Sequence, residues 1–278
     1  MSNKVTLDEI HAKLNSGQMA EAAKLIQVGV SQRIDFQGQH LRCASILLYS
    51  AAWGEISALL PPGTNSFLTS GWVRSVGTGR PVDQSGNAIP WLTYPAIEFL
   101  QAIVKKDWRV FEWGAGNSTI WWSTHCASVT AIENNAAWVA ELRPKLSPNA
   151  RVLLHEDKDA YINAIKEESV YDVIVVDGKH RNECAAVCAP HLADKGIIIY
   201  DNSDRSEYDS SIGFLESIGF QRIDFWGLTP SYAYKNCTSI FFRHLESVRH
   251  STFPSKHQST LGLSCEQAIE LLNALGKK

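Results

Sequence analysis

Val110-Phe111-Glu112-Trp113-Gly114-Ala115-Gly116-Asn117-Ser118-Thr119 is the stretch of this chain in which residue types and spacing most clearly imply chemistry. An apolar run delivers an acid, two glycines follow, and Asn117, Ser118 and Thr119 open a helix that continues through Ile120, Trp121 and Trp122. Glycine at 114 and 116 is expected to permit positive φ and a close backbone approach to a ligand. The helix start offers unpaired N–H groups and the positive end of its dipole. These features predict a site for a nucleotide-like ligand built from Glu112, Gly114, Gly116, Asn117 and Ser118. The carboxylate of Glu112 selects among such ligands, because it repels a pyrophosphate and attracts the ammonium of an amino-acid moiety.

Val129-Thr130-Ala131-Ile132-Glu133 reads as a second strand ending in an acid. Its place, about 20 residues after the glycines, is where α/β folds put the carboxylate that accepts from ribose hydroxyls. A ligand with a ribose and an amino-acid group but no phosphate is S-adenosylmethionine. A dinucleotide fingerprint would place a third glycine at 119, where this chain has Thr119, which argues against a nicotinamide-dependent oxidoreductase. The E-x-G-x-G pattern with its second-strand acid resembles the class I S-adenosylmethionine-dependent methyltransferases over roughly Tyr94 to Arg243. The resemblance implies cofactor contacts from Tyr94, with Thr93, just ahead of the first strand, and from Asp157 after the third strand, near the adenine. Trp138 is placed either on the adenine or in plain packing.

A second constellation closes strands four and five. Strand four ends Val175-Val176-Asp177-Gly178-Lys179-His180-Arg181, and strand five ends Ile199-Tyr200-Asp201-Asn202-Ser203. Open α/β sheets bind ligands at the carboxyl ends of their strands, so Asp177, Asp201 and Asn202 are expected together. Three oxygen side chains suit a hard divalent cation such as Mg²⁺. The bland alternatives are a D-G turn at Asp177-Gly178 and a helix cap at Asp201-Asn202-Ser203. The arrangement resembles the metal-dependent O-methyltransferases, which implies Asp177, Asp201 and Asn202 as metal ligands. In catechol- and caffeoyl-type members a lysine stands three residues after the strand-four acid; here that place is His180. The D-G-x-H form resembles natural-product sugar and macrolide O-methyltransferases. That implies His180 as catalytic base beside Asp177, acting on a small-molecule or sugar-containing (glycan) acceptor. Histidine suits this role because its ordinary pKa lies near neutrality. Arg181, Arg205, Tyr208 and Tyr232 are expected in loops facing the acceptor. W-x-x-Y-P at Trp91–Pro95, D-G-x-H-R at Asp177–Arg181 and T-S-I-F-F-R at Thr238–Arg243 resemble uncharacterised bacterial methyltransferases.

The elements that must position these residues alternate regularly. Strands are expected at 109–113, 128–133, 151–155, 172–177, 196–201, 222–226 and 239–243, with helices between the first six. This predicts an α/β, doubly wound, seven-stranded and mostly parallel sheet, the Rossmann-like arrangement that the methyltransferase resemblance implies. The last two strands are joined too tightly for a parallel crossover and are expected to be antiparallel. The near-continuous Val and Ile of strand four suit a sheet buried on both faces. Four regions are expected along the chain. Residues 1–60 are helical and weakly tetratricopeptide-like at Gly17, Glu21, Ala22 and Leu25, with too few units for a repeat array. Residues 61–90 are a linker or lid without clear elements, 91–246 the methyltransferase domain, and 247–278 a tail whose helix, Cys265 to Leu275, is capped by Ser264 and Gln267. The terminal helices are candidates for a homo-oligomer contact or a protein partner.

Composition sets bounds on these readings. A 278-residue chain with 45% hydrophobic and 20% charged residues is ordinary for a globular protein. A net charge of −3 with no basic block predicts no nucleic-acid partner. No apolar run approaches the ~20 residues of a membrane span, and no signal-peptide core follows Met1, so no membrane and a cytoplasmic location are expected. Among six cysteines there is no C-x-x-C, and Cys184 and Cys188 read as small buried side chains. The alternative to an enzyme is a scaffold that holds the cofactor structurally and recruits a partner through its N-terminal helices.

Overall fold

A computed structural model describes residues 4–16, 18–36, 43–47, 50, 66–167, 170–249, 261, 269–270 and 273–274. The chain divides into two compact units. One comprises Met1–Asn87, Leu228–Tyr234 and Gln258–Lys278, and the other Ala88–Gly227 and Lys235–His257.

In the first unit, helix α1 (Leu7–Asn15) starts at a reciprocal cap. The Thr6 hydroxyl accepts from the Glu9 nitrogen, and the Glu9 carboxylate accepts from the Thr6 nitrogen. Helix α2 (Met19–Ser31) buries Ala22, Ala23, Ile26 and Gly29, a stripe at helical spacing. The stretch expected to lack elements contains two short helices, α3 (Ser66–Thr69) and α4 (Trp72–Thr78). Gly71 between them has φ 81, and a Cβ there would stand 2.2 Å from the Val82 carbonyl oxygen. That tight turn sets the register of two helices too short to announce themselves by periodicity. Segment 228–234 is bonded into this unit: the Trp72 indole donates to the Tyr232 carbonyl at 2.9 Å, and the Ala233 nitrogen to the Ser45 hydroxyl at 3.1 Å. The tail helix expected at Cys265 to Leu275, and the helical reading of 51–60, lie largely outside the described residues.

The second unit is built on seven strands: β1 (Arg109–Trp113), β2 (Ser128–Glu133), β3 (Ala150–Leu154), β4 (Tyr171–Val176), β5 (Leu192–Asp201), β6 (Gln221–Leu228) and β7 (Lys235–Phe242). Their order is β3-β2-β1-β4-β5-β7-β6. Strands β1 to β5 pair in parallel, and β7 runs antiparallel to β5. Helices α5 (Tyr94–Ile103), α6 (Asn117–His125), α7 (Ala136–Leu142), α8 (Lys158–Asn163), α9 (Arg181–Cys188) and α10 (Asp209–Ser217) accompany them. This is the doubly wound, mostly parallel, Rossmann-like sheet that the sequence predicts. Strand β5 begins four residues before its expected start, because Asp194-Lys195-Gly196 stays extended rather than turning. Leu192 pairs with Tyr171, and the register shifts between Tyr171 and Val173 to absorb the irregularity.

One face of the sheet packs Phe111, Trp113, Ile174, Val176, Ile198 and Tyr200 into a continuous core with Tyr161 and Leu215 from the helices. Cys184 and Cys188 join this core as free thiols. Burial raises both, Cys188 to about 12, which makes them inert packing groups. The strand order reverses between β1 and β4, and the crevice at their carboxyl ends is the topological switch point of the sheet.

Candidate active site

Glu112 ends up fully buried one residue before the close of β1. Its Oε2 accepts from the Thr119 hydroxyl at 2.5 Å, and that hydroxyl accepts from the Gly116 nitrogen at 3.0 Å. Its Oε1 is buried and finds no hydrogen-bond partner among the described residues. Burial pushes Glu112 up to about 8. The Ser118 and Thr119 hydroxyls pull the other way, and the charges of Asp177 and Glu133 add to the rise. The acid is therefore held without a cation in a place where its charged form is expensive.

The two glycines divide between them the parts expected of both. Gly114 has φ 95, and a Cβ there would come within 2.9 Å of the Asp177 and Gly178 backbone. Gly116 has φ −176, an extended conformation open to any residue, so the expectation of positive φ there is corrected. A Cβ on Gly116 would meet only the Ser118 hydroxyl, at 4.0 Å. Its backbone faces open space, which is what a closely approaching ligand requires. Gly178 supplies a third close approach: its Cβ would fall 1.9 Å from the Tyr161 hydroxyl and 2.8 Å from the Gly114 nitrogen. Asn117 and Ser118 form the first turn of α6, Ser118 buried and Asn117 half-buried.

Glu133 closes β2, and its Oε1 accepts from the Asn134 and Asn135 nitrogens at 2.8 and 2.9 Å. In the orientation that satisfies both its ends, the Asn134 amide donates to Glu133 at 3.1 Å and accepts from Lys179 Nζ at 2.8 Å. This links the end of β2 to the loop after β4. Asp157 is exposed and caps α8, its Oδ1 accepting from the Ala160 nitrogen at 2.9 Å. Tyr94 is the first residue of α5 and half-buried. Its neighbour Thr93 stitches that helix to the far strands, donating through its nitrogen to Thr238 at 3.1 Å and through its hydroxyl to the Phe225 carbonyl at 2.9 Å. The Trp138 indole donates to the Ala115 carbonyl at 2.6 Å, so Trp138 braces the glycine turn.

Asp177, Asp201 and Asn202 converge as expected. Antiparallel pairing sets Asp201 opposite Thr238, whose hydroxyl donates to Asp201 Oδ1 at 2.6 Å, and the Asn202 amide donates to Oδ2 at 2.8 Å. Arg181 stands among these oxygens, where the resemblance implies a metal. Its guanidinium meets Asp177 Oδ1 at 3.0 Å and Asn202 Oδ1 at 3.1 Å. Among the described residues no three His, Cys, Asp or Glu side chains are grouped to hold a metal ion. The donors do not fit Mg²⁺, because a cation of the chain itself already stands between them. Burial raises both Asp177 and Asp201; the Asp177 charge adds to the rise at Asp201, while Arg181 opposes it at both.

His180 caps α9 with φ 54, and Asn202 after β5 has φ 56. Left-handed backbone at a residue other than glycine costs about 1–3 kcal/mol and gathers at functional sites. The His180 ring lies half-buried, edge-on to Tyr161 at 6.0 Å between centroids. Arg181, expected to face an acceptor, instead turns inward with its side chain 10% exposed. Three contributors went unread in the sequence: Thr119, seen only as a missing glycine, Thr238, and the inward role of Arg181. The i,i+4 spacing of Asp177 and Arg181 was the available signal for the last.

The fold and this crevice define the class: a doubly wound, seven-stranded, mostly parallel Rossmann-like sheet with acids and glycines at its switch point. No protein-family model and no curated protein matches the chain. Similar solved structures include precorrin-6y C5,15-methyltransferase from Geobacter metallireducens, at 14% identity and TM-score 0.45, covering 54% of this chain and 87% of that one. Spermidine synthase from Thermotoga maritima is similar at 14% identity and TM-score 0.45, covering 67% and 71%. An rRNA methylase from Streptococcus thermophilus matches at 14% identity and TM-score 0.40, covering 54% and 97%.

Proposed function

We propose that this protein is an S-adenosylmethionine-dependent methyltransferase acting on an oxygen of a small-molecule or sugar-containing acceptor. The observation that carries the reading is Glu112 Oε1, a buried carboxylate oxygen beside the glycine turn that has no partner among the described residues. An unsatisfied buried acceptor costs roughly 1–3 kcal/mol, and more for a charged one. The ammonium of an amino-acid moiety supplies the missing donor and the missing charge together.

The remaining residues take roles that follow from their places. Gly116 leaves room for the ligand, with Asn117 and Ser118 at the start of α6 beside it. Glu133, with one oxygen tied to its own loop, presents the other to ribose hydroxyls. Asp157 keeps one carboxylate oxygen for the adenine amino group while the other caps α8. Tyr94 borders the cofactor from α5. S-adenosylmethionine, when bound, supplies a methyl group on a sulfonium. His180 takes the proton that the acceptor hydroxyl gives up, from a backbone held in one unusual conformation. Asp177 fixes the turn that carries His180, through the nitrogen that donates to the Trp113 carbonyl at 3.1 Å.

Calorimetric titration of S-adenosylmethionine on the full chain tests the reading, followed by turnover on a panel of sugar and phenol hydroxyls with wild type and His180→Asn. Asparagine tolerates left-handed backbone, so this variant removes the base while sparing the turn. Cofactor binding with turnover lost in the variant is the expected result. Failure of wild type to bind the cofactor would overturn the reading and leave the scaffold alternative. Full turnover in His180→Asn would remove His180 as base.

A further inference from the structure

The Arg181 guanidinium makes four hydrogen bonds and an ion pair inside the chain. Nε donates to the Gly178 carbonyl at 2.9 Å. One terminal nitrogen donates to the Asp201 carbonyl and to Asn202 Oδ1. The other donates to the Asp177 carbonyl at 3.0 Å and pairs with Asp177 Oδ1 at 3.0 Å. A guanidinium has five donors in a fixed fork and no acceptor, and four of the five are held by the chain itself. The Tyr208 ring lies 5.4 Å from its carbon and covers it further.

The placement is costly by ordinary standards. The side chain is nearly buried, and its charge sits in the first turn of α9, where the helix dipole disfavours a cation. Its partners lie around the two left-handed residues. The Asp177 and Gly178 carbonyls precede His180, and the Asp201 carbonyl and the Asn202 side chain mark the end of β5.

We propose that Arg181 is a built-in cation that takes the place of a divalent metal at the ends of β4 and β5 and is the positioning residue for His180. The oxygens around it then become a metal site only when the guanidinium is removed. The role given to His180 rests on the methyltransferase reading; the cation chemistry does not. A divalent ion and a guanidinium cannot share these oxygens, because two cations at contact distance in a poorly solvated site repel strongly. Mg²⁺ also requires oxygens at about 2.0–2.1 Å in near-octahedral array, a cage the planar fork excludes. With the arginine truncated, the Asp177 carboxylate, the Asn202 amide oxygen and the Asp177, Gly178 and Asp201 carbonyls face one vacated space, a donor set for a hard cation.

The test is Mn²⁺ binding followed by electron paramagnetic resonance on wild type, Arg181→Ala, Arg181→Lys and Arg181→Ala/Asp177→Asn. Wild type is expected to hold no stoichiometric Mn²⁺, with turnover unchanged by EDTA. Arg181→Ala is expected to gain one Mn²⁺ per chain, at least about tenfold tighter than any wild-type binding and lost again in the double variant. Arg181→Lys, which keeps the charge without the fork, should gain no Mn²⁺ and lose kcat with KM for the cofactor unchanged. A stoichiometric Mn²⁺ site in wild type would overturn the proposal, and that arm stands even if Arg181→Ala does not fold. A folded Arg181→Ala that binds no Mn²⁺ would overturn it as well. Cofactor binding alongside a wild-type Mn²⁺ site would sink this proposal and leave the methyltransferase reading. Absent cofactor binding with the expected Mn²⁺ results would do the reverse.

Discussion

The Thr119 hydroxyl donates to Glu112 Oε2 at 2.5 Å while accepting from the Gly116 nitrogen at 3.0 Å. One small side chain thus joins the acid at the end of β1 to the turn that follows it. The residue that breaks the dinucleotide fingerprint is the one that orients the acid. Thr119→Val removes both bonds with little change of volume and leaves two buried polar groups unpaired. We expect a stability loss of about 1–3 kcal/mol in urea denaturation and cofactor affinity roughly tenfold weaker. Thr119→Ser should restore both, and a valine variant with wild-type affinity would dissociate Thr119 from the site.

Glu112 is pushed up to about 8 by burial, so it is largely protonated at neutral pH when no cation lies beside it. Binding an ammonium there expels the proton. Calorimetry of S-adenosylmethionine in two buffers of different ionisation enthalpy should register proton release below about pH 8, with affinity rising as pH rises toward that value. Glu112→Gln should abolish the release and weaken binding by about 30-fold or more, the cost of losing one member of a buried charged pair.

The same shift acts on folding. The folded value of Glu112, about 8, stands above its unfolded value of 4.5, so its contribution favours the native state below pH 4.5 and is lost as pH rises through 8. Asp177 and Asp201 are raised as well and act in the same direction. The cofactor-free protein should therefore lose stability between pH 5 and 8 in chemical denaturation. Glu112→Gln should flatten that slope without abolishing it, and an identical slope in the variant would show that the acid is not buried alone.

Gly178 lies against β1 so closely that an added methyl would overlap the Tyr161 hydroxyl and press on the Gly114 nitrogen. Gly178→Ala should destabilise the fold by about 2–4 kcal/mol, since the methyl meets backbone as well as a side chain. Tyr161→Phe removes the hydroxyl and should recover part of that loss in the double variant. Additive effects in the thermal midpoint would mean that the two positions do not meet.

The sheet was legible because β1 and β2 are short apolar runs ended by acids, and hydrophobic runs between turn residues define strands well. β5 was harder: Lys195-Gly196 looks like a turn, yet it runs extended between the Leu192–Tyr171 and Ile197–Val173 pairs. Glu112 and Glu133 could be read from spacing, and the meeting of Asp177 with Asp201 from topology. The occupant of the space between those two could not. A sequence shows that oxygen donors converge, whereas which cation they receive depends on the direction of one long side chain. Arg181 sits first in its helix, and its direction is set by four acceptors and one ion pair at two strand ends.

The first unit takes one of its pieces from between β6 and β7. Ser45 and Trp72 bond to Ala233 and Tyr232, which follow them by 188 and 160 residues. At a synthesis rate of about 5–20 residues per second, the N-terminal helices wait about 8–38 s for those partners to be made. Through that interval Trp72 has no native acceptor, and the early helices depend on their own packing or on a chaperone. Completion of the N-terminal unit is thereby timed to the synthesis of the last strands of the sheet.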